Sequence, residues 1–477
     1  MSAEEKYVAT IGLEIHAELA TRTKIFGRAA NDPDEATPNA LAHPIDLGHP
    51  GVLPALNRRA VEHVIRVGLA IGGTIAEFAE FDRKHYFYPD IPKGYQVSQY
   101  KHPIVEGGEI GGVGITRVHL EEDTGTSKHD RGDFTLVDYN RAGVPLLELV
   151  TEPQMHSAEE ALAFGQEFQL LLRYLGASEA NMEKGEMRVE ANISVSDNPK
   201  RLGTKVEVKN LNSFQAAKKA IAYELDRMRG LLAEGKGDEI VQETRGWDDV
   251  AGKTVPQRRK ETSEDYRYFP EPDLPKLHLH KIFDLESMRA ALPELPWSRR
   301  ERYAKLGLSV KEVEVLVGDL ALASYLETCS EGLSDARRRL AANYTLSDVL
   351  GFFRKDGGSL DRIPASVIHE IVVMAEAGEI GSRVAKNLLA WYWQHAGEAN
   401  VPSPKEKVAA EGLGQQSDEG ALGAVVEQII AANEKVAAEY RAGKAASLEF
   451  LVGQGMKVTK GAANPATLRD LFKARLG

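Results

Sequence analysis

The side chains best suited to chemistry fall on runs in which apolar and polar residues alternate. In Tyr7 to His16 (YVATIGLEIH), Ile11, Leu13 and Ile15 take one side, and Glu14 and His16 take the other. In Ile115 to Asp123 (ITRVHLEED) the polar side carries Arg117, His119 and Glu121, with Glu122 and Asp123 following. The run Leu146 to Val150, within PLLELV, holds one acid, Glu148, among leucines. Met187 to Ser213 reads MRVEANISV, then a turn, then TKVEVKNLNS. Its polar residues are Arg188, Glu190, Asn192 and Ser194, followed by Lys205, Glu207, Lys209 and Asn210. Carboxylates and an imidazole suit a divalent cation, and lysine and arginine suit phosphate. Glu148 is the strongest single candidate, because a carboxylate among leucines is costly to bury unless it is paired or bound to metal. The face of the 187–213 hairpin leaves two readings open: a salt-bridged exposed sheet, or the floor of a site for phosphates and a divalent ion.

A strict period of two makes these runs half-buried strands. Asp197-Asn198-Pro199 and Gly203 join the last two as an antiparallel hairpin. Helices lie between and behind them. Asn57 caps one that runs to about Ile71, Ser157 with Glu160 starts one that ends at Gly176, and Ser213 caps one over about Gln215 to Leu232. The pattern predicts an α+β fold with a largely antiparallel sheet. Two further segments are polar and aromatic together. Phe81 to Gln99 (FDRKHYFYPDIPKGYQVSQ) is broken by Pro89 and Pro92, so it is a loop: either a packed tyrosine-rich one or one that presents Arg83 and Lys84 to an anion. Thr254 to Leu277 sets Arg258, Arg259 and Lys260 before Asp265-Tyr266-Arg267-Tyr268-Phe269-Pro270. Cations interleaved with aromatics pair with phosphate or stack on a base.

The chain has 477 residues, which at roughly 150 per domain suggests two to four domains. A net charge of −12 argues against a wholly basic surface but leaves room for a local basic patch. The single cysteine, Cys329, excludes an internal disulfide framework and reads as a small buried hydrophobe. No apolar run approaches the length of a membrane span, and the first residues, MSAEEKY, lack the character of a secretion signal, so a cytoplasmic protein is the default. Beyond Pro293 the pattern turns helical, Val401 to Gln416 reads as a linker, and from Gly420 helices lead to a final loop, LVGQGMKVTKGAANP. This divides the chain into 1–293, 294–405 and 406–477. From Arg441 onward there are seven cations and two acids, a local excess of +5 that fits a polyanion.

The motifs GLEIH, FDRKHYFYPDIPKGYQVSQ, HLEED, NRAGVPLLELV, MRVEANISV, EVKNLNS, ETR at 243–245 and DYRYFPEPDL, with FLVGQGMKVTKGAANP in the tail, resemble the B subunits of aspartyl/glutamyl-tRNA amidotransferases along essentially the whole chain. The resemblance implies an antiparallel catalytic cradle like glutamine synthetase and the guanido kinases, followed by an all-α helical region and an all-α tRNA-binding tail. It implies a heterotrimer with an amidase subunit and a small linking subunit, acting on misacylated Glu-tRNA or Asp-tRNA. The implied activity is that of an ATP-dependent carbon–nitrogen ligase: ATP and Mg²⁺ convert the side-chain carboxylate to an acyl phosphate, which ammonia then displaces.

Carried over residue by residue, His16, Glu121 and Glu148 are the expected metal ligands, with Glu14, Glu122, Glu190 and Glu207 in supporting or second-metal places. Arg188, Lys209, Lys84 and Arg83 are expected on phosphates, Asn192, Asn210 and Ser194 on the acyl group or water, and Lys457 and Lys460 on the tRNA backbone. One departure stands out. Where many members carry a four-cysteine zinc knuckle, this chain has Gly27, Ala29, His43 and Asp46, so no zinc is expected and proline and packing must hold that loop. A non-catalytic tRNA-binding scaffold and a stand-alone ligase for a free amino acid are the competing readings. Glu148 in its apolar run speaks against the first, and the basic tail against the second.

Overall fold

The structure is a computed structural model that describes residues 6–129, 132–198, 200–259, 266–415, 419–459 and 461–477. It divides into two compact units, Met1–Pro296 and Trp297–Gly477. The fold is α+β: a sheet-based first unit and a helical second one.

The first unit is built on a ten-stranded sheet. Its long strands are β1 (Val8–Glu18), β4 (Val113–Glu122), β5 (Pro145–Thr151), β6 (Met187–Ser196), β7 (Val206–Leu211), β8 (Glu243–Asp248) and β9 (Lys253–Arg259). They lie in the order β9-β8-β7-β6-β1-β5-β4, so β1 is central. Adjacent pairs are antiparallel except β7 with β8. The hairpin predicted over 187–213 forms from β6 and β7, with a register irregularity between Val189 and Ala191. Two short strands, β2 (Asp82–His85) and β3 (Tyr95–Ser98), pair with each other and with Phe269–Pro270 in a separate three-stranded sheet. The segment predicted to be a loop thus contributes strands on either side of its two prolines.

Three helices start where their caps predict. In α1 (Arg58–Ala70) the Asn57 side chain accepts from the Arg59 and Ala60 N–H groups. In α2 (Ala158–Tyr174) Ser157 accepts from Glu160 N, and Glu160 reaches back to the N–H of His156. In α3 (Phe214–Ala233) Ser213 accepts from Ala216 N. Helices α2 and α3 cover one face of the sheet, burying Ile11, Leu13, Ile15, Ala191, Ile193, Val206 and Val208. Alternation then leaves Glu14, His16, Arg188, Glu190, Glu207 and Lys209 on the other face.

The second unit is helical, and two sequence expectations are corrected there. The predicted linker contains α4 (Pro404–Glu411), opened by a capping box of Ser403 and Glu406. The predicted final loop is largely helix: α5 (Ala446–Val458) runs through LVGQGMKV. Its glycines read as loop residues, but a Cβ at Gly455 would lie 2.9 Å from Leu468 on α6 (Pro465–Leu476), so glycine there permits close helix packing. The core of this end is Leu422, Val426, Ile429, Leu451, Leu468 and Phe472. Cys329 is fully buried.

Candidate active site

Strand register assembles the site. On either side of β1, His16 faces Arg188 of β6 and Glu148 of β5, and Glu148 in turn faces His119 of β4. Arg188, His16, Glu148 and His119 therefore make one row across four strands. Glu121, two residues beyond His119, shares their face. His16 Nε2 lies 3.4 Å from Glu148 Oε2 and 3.7 Å from Glu121 Oε1, and His119 Nε2 lies 3.3 Å from Glu148 Oε2. Ligand atoms of His16, Glu121 and Glu148 all fall within 4.8 Å of one another. A second group of the same compactness is Glu14, Glu190 and Glu207. There Asn192 donates to Glu14 (2.8 Å), Lys209 pairs with Glu190 (2.6 Å) and the Thr244 hydroxyl donates to Glu207 (2.7 Å).

The two acidic groups, with His119, Arg188 and Lys209, line a cavity of about 400 Å³ that Lys84, Tyr86, Gln96, Ser98, Tyr100, Tyr266 and Tyr268 line as well. The arrangement suits a hard divalent cation. Glu121 Oε2 is buried and accepts no hydrogen bond among the described residues, which is the place a bound cation would fill. The electrostatics fit as well. Burial alone would raise the Glu148 carboxyl, but His119 and His16 hold it well below the usual carboxylate range. Burial opposes the His16 charge, yet its hydrogen bond to Glu148 and the charges of Glu148, Glu121 and Glu190 bring it up to about 9. Without a cation, a proton on His16 is the charge these acids hold. Lys84 is likewise disfavoured by burial and held charged by Glu121 and Glu148, among others.

The family model described as the GatB/GatE catalytic domain matches residues 9–283, the part of the chain that carries all of these residues. The chain belongs to that family. A second model, the GatB domain, matches residues 324–476. The chain is 41% identical over 491 residues to the B subunit of the chloroplastic/mitochondrial glutamyl-tRNA(Gln) amidotransferase of Ostreococcus lucimarinus, covering 99% of this chain and 97% of that protein. It is 42% identical to the B subunits of the aspartyl/glutamyl-tRNA(Asn/Gln) amidotransferases of Burkholderia ambifaria and Burkholderia vietnamiensis, covering 99% of this chain and 100% of each of them.

Within this member of the family, several expected site residues lie elsewhere. Glu122 points to the opposite side of β4 from Glu121, where it is paired with Lys93 (2.6 Å) and accepts from Val97 N, so it is not at the metal group. Arg83 is opposed to Lys84 on β2 in the same way. It makes a two-pronged contact with Glu271 (2.6 and 2.8 Å) and packs over Tyr95, away from the cavity. Ser194 shares the polar face of β6 but lies outside the cavity lining, as does Asn192, which reaches the site through Glu14. Asn210 is exposed, with a left-handed backbone (φ 63°) at the end of β7, and does not line the cavity. Lys457 is exposed on α5, and Lys460 lies outside the described residues, as do positions 260–265.

Other residues belong to the site although no sequence pattern assigned them a role. Asp123 is buried and pairs with Arg188 and Arg141. Glu18, on the same face of β1 as Glu14 and His16, is pushed up to about 8, first by burial and then by Asp123. The early loop is closed by a buried ion pair rather than by proline and packing alone. Lys24 Nζ lies 2.9 Å from Asp46 Oδ2 and also donates to the carbonyls of Ala142 (2.6 Å) and Tyr139 (3.3 Å). That ties the loop to the turn next to Asp123, whose N–H and carbonyl bond Val144 and Gly143.

Proposed function

We propose that this chain is the tRNA-binding, carboxylate-activating subunit of an amidotransferase for misacylated tRNA. The observation that carries the reading is the compact group His16, Glu121 and Glu148, its two acids buried, lining one cavity together with Lys84. Glu-tRNA(Gln), Asp-tRNA(Asn) or both would be the substrate, ATP the phosphoryl donor, and an amidase subunit the source of ammonia, with a small linking subunit completing a cytoplasmic heterotrimer.

A carboxylate resists ammonia because oxide is a poor leaving group. Its oxygen therefore attacks the γ-phosphorus of ATP and ADP departs. Ammonia then attacks the acyl carbon, phosphate leaves, and the nitrogen gives up a proton. The charge that builds on the transferred group needs fixed cations. Mg²⁺ held by His16, Glu121 and Glu148 would neutralise phosphate charge, and Glu14, Glu190 and Glu207 have the same chemistry to offer. Lys84 presents an ammonium to the same cavity. Arg188, fixed by Asp123, and Lys209, held by Glu190, supply two more cations on the sheet side. Asn192 fixes Glu14 and thereby the second acidic group. The tail, with Lys457 exposed, would contact the tRNA backbone and set position rather than read sequence.

The test is ATP turnover by the assembled complex with misacylated tRNA present. Glu148→Ala should abolish activation of the aminoacyl group while glutamine hydrolysis by the partner persists. Full activation in that variant would sink the proposal.

A further inference from the structure

Strand β4 lines the cavity with Arg117, His119 and Glu121, and of these three the chemistry above uses only Glu121. His119 is 1% exposed, and its Nε2 lies 3.3 Å from Glu148 Oε2 and 4.0 Å from Glu121 Oε2. By those distances it would pass for a further ligand of the cation that His16, Glu121 and Glu148 would hold, since imidazole and carboxylate ligate together.

The other ring nitrogen argues against that role. Arg117 Nε lies 3.4 Å from His119 Nδ1 and can only donate to it, because a guanidinium has no acceptor. Nδ1 therefore offers its lone pair, and the ring proton is on Nε2. Two acceptors lie within reach of that proton, Glu148 Oε2 and the Ser98 hydroxyl oxygen, the latter 3.4 Å from Nε2. A nitrogen that carries a proton has no lone pair left for a metal. Arg117 Nη2 also lies 3.9 Å from Glu148 Oε1, so one guanidinium sits beside both the imidazole and the acid that the imidazole holds.

We infer that His119 is a positioning residue and not a metal ligand: its Nε2–H holds Glu148 for the cation, and Arg117 fixes the tautomer that lets it do so. This rests on the metal group proposed above and adds the side chains that orient it. Partners of this kind aim the ligands they bond, and their loss typically costs about ten- to a hundredfold in metal affinity.

The experiment loads the full-length chain with Mn²⁺ alone, without nucleotide or tRNA, and reads affinity by titration and nitrogen ligands by pulsed EPR. Wild type should show one coordinated imidazole nitrogen. His119→Gln, whose amide can still donate to Glu148, should also show one and should bind within about threefold of wild type, whereas His119→Ala should lose about ten- to a hundredfold. Arg117→Met should cost at least about threefold more affinity in the wild-type background than in the His119→Gln background. Two nitrogens in wild type, or none in His119→Gln, would make His119 a ligand and overturn the inference. So would wild-type affinity in His119→Ala, a His119→Gln loss as large as that of His119→Ala, or an equal cost of Arg117→Met in the two backgrounds. Should His119→Ala fail to fold, the nitrogen counts and the Arg117 comparison decide. If wild type binds no Mn²⁺, the metal reading itself fails and this inference with it, an outcome separate from all of these.

Discussion

Replacing Lys24 by methionine tests how the early loop is held. Lys24 is fully buried, and its ammonium has three acceptors: Asp46 Oδ2 at 2.9 Å, Ala142 O at 2.6 Å and Tyr139 O at 3.3 Å. Methionine keeps most of the volume and removes all three. Among the described residues, Asp46 would then be a buried carboxylate with only the His43 N–H left to it, at 3.1 Å. Breaking one side of a buried ion pair costs about 3–5 kcal/mol, and the Ala142 carbonyl, left without another donor among the described residues, adds up to about a further 1–3 kcal/mol, while the Tyr139 carbonyl keeps the Ala142 N–H. Taking about 4 kcal/mol, and about 2–4 °C per kcal/mol for a domain of this size, the transition of the Met1–Pro296 unit should fall by about 10 °C. Differential scanning calorimetry reads it directly. The double variant Lys24→Met/Asp46→Leu should recover a good part of the loss, because it no longer buries an uncompensated charge. A single variant that melts within about 2 °C of wild type, or a double variant less stable than the single, would refute this account of the loop.

Three other outcomes follow from the same geometry. Glu148→Gln should weaken Mn²⁺ binding to the full-length chain by at least about a hundredfold, since it removes a ligand charge and not merely a supporting contact; titration that finds wild-type affinity would move the metal group elsewhere. His63, buried on α1 with Nε2 3.1 Å from the Ala20 carbonyl, is pushed down to about 4, mainly by burial and then by Arg59. Between pH ~6.5 and ~4 the unfolded chain therefore binds a proton that the folded chain refuses, so stability falls as pH drops through that window, by at most about 3 kcal/mol. His63→Gln should flatten this dependence in urea denaturation, and an unchanged slope would count against it. Lys457→Ala should weaken tRNA binding about equally for all sequences and lower the slope of log affinity against log salt by about 1; a sequence-selective effect would contradict a backbone contact.

The strands were legible in the sequence because their alternation is strict, and the caps at Asn57, Ser157 and Ser213 marked three helices within a residue or two. His16, Glu121 and Glu148 were reachable only through the family resemblance joined to the oddity of an acid among leucines. That they meet is a matter of cross-strand register. Two misplacements were avoidable: Glu121 with Glu122, and Lys84 with Arg83, are strand neighbours, so only one of each pair can face the cavity. By the same parity Asp123 shares the side of Glu121, a signal that its place in a run of three acids obscured. Lys24 with Asp46 is different in kind, because no local pattern pairs a lysine with an acid 22 positions away inside a loop. Asn210 follows Lys209 on the strand, so the same parity turns it from the cavity, and its left-handed backbone is a further departure from regular strand geometry.

Strand β1 carries one member of each acidic group, Glu14 and His16, at a separation of two residues. In an extended chain that is about 6.6 Å, set by covalent geometry and untouched by anything the surrounding loops do. β1 therefore acts as a ruler between the two groups. Losing or gaining a single residue ahead of Glu14 within the paired strand would turn both side chains to the helix side together. Neither group can drift away by sliding while the other stays in place. Divergence within such a fold has to proceed by changing side chains at fixed stations, not by respacing them.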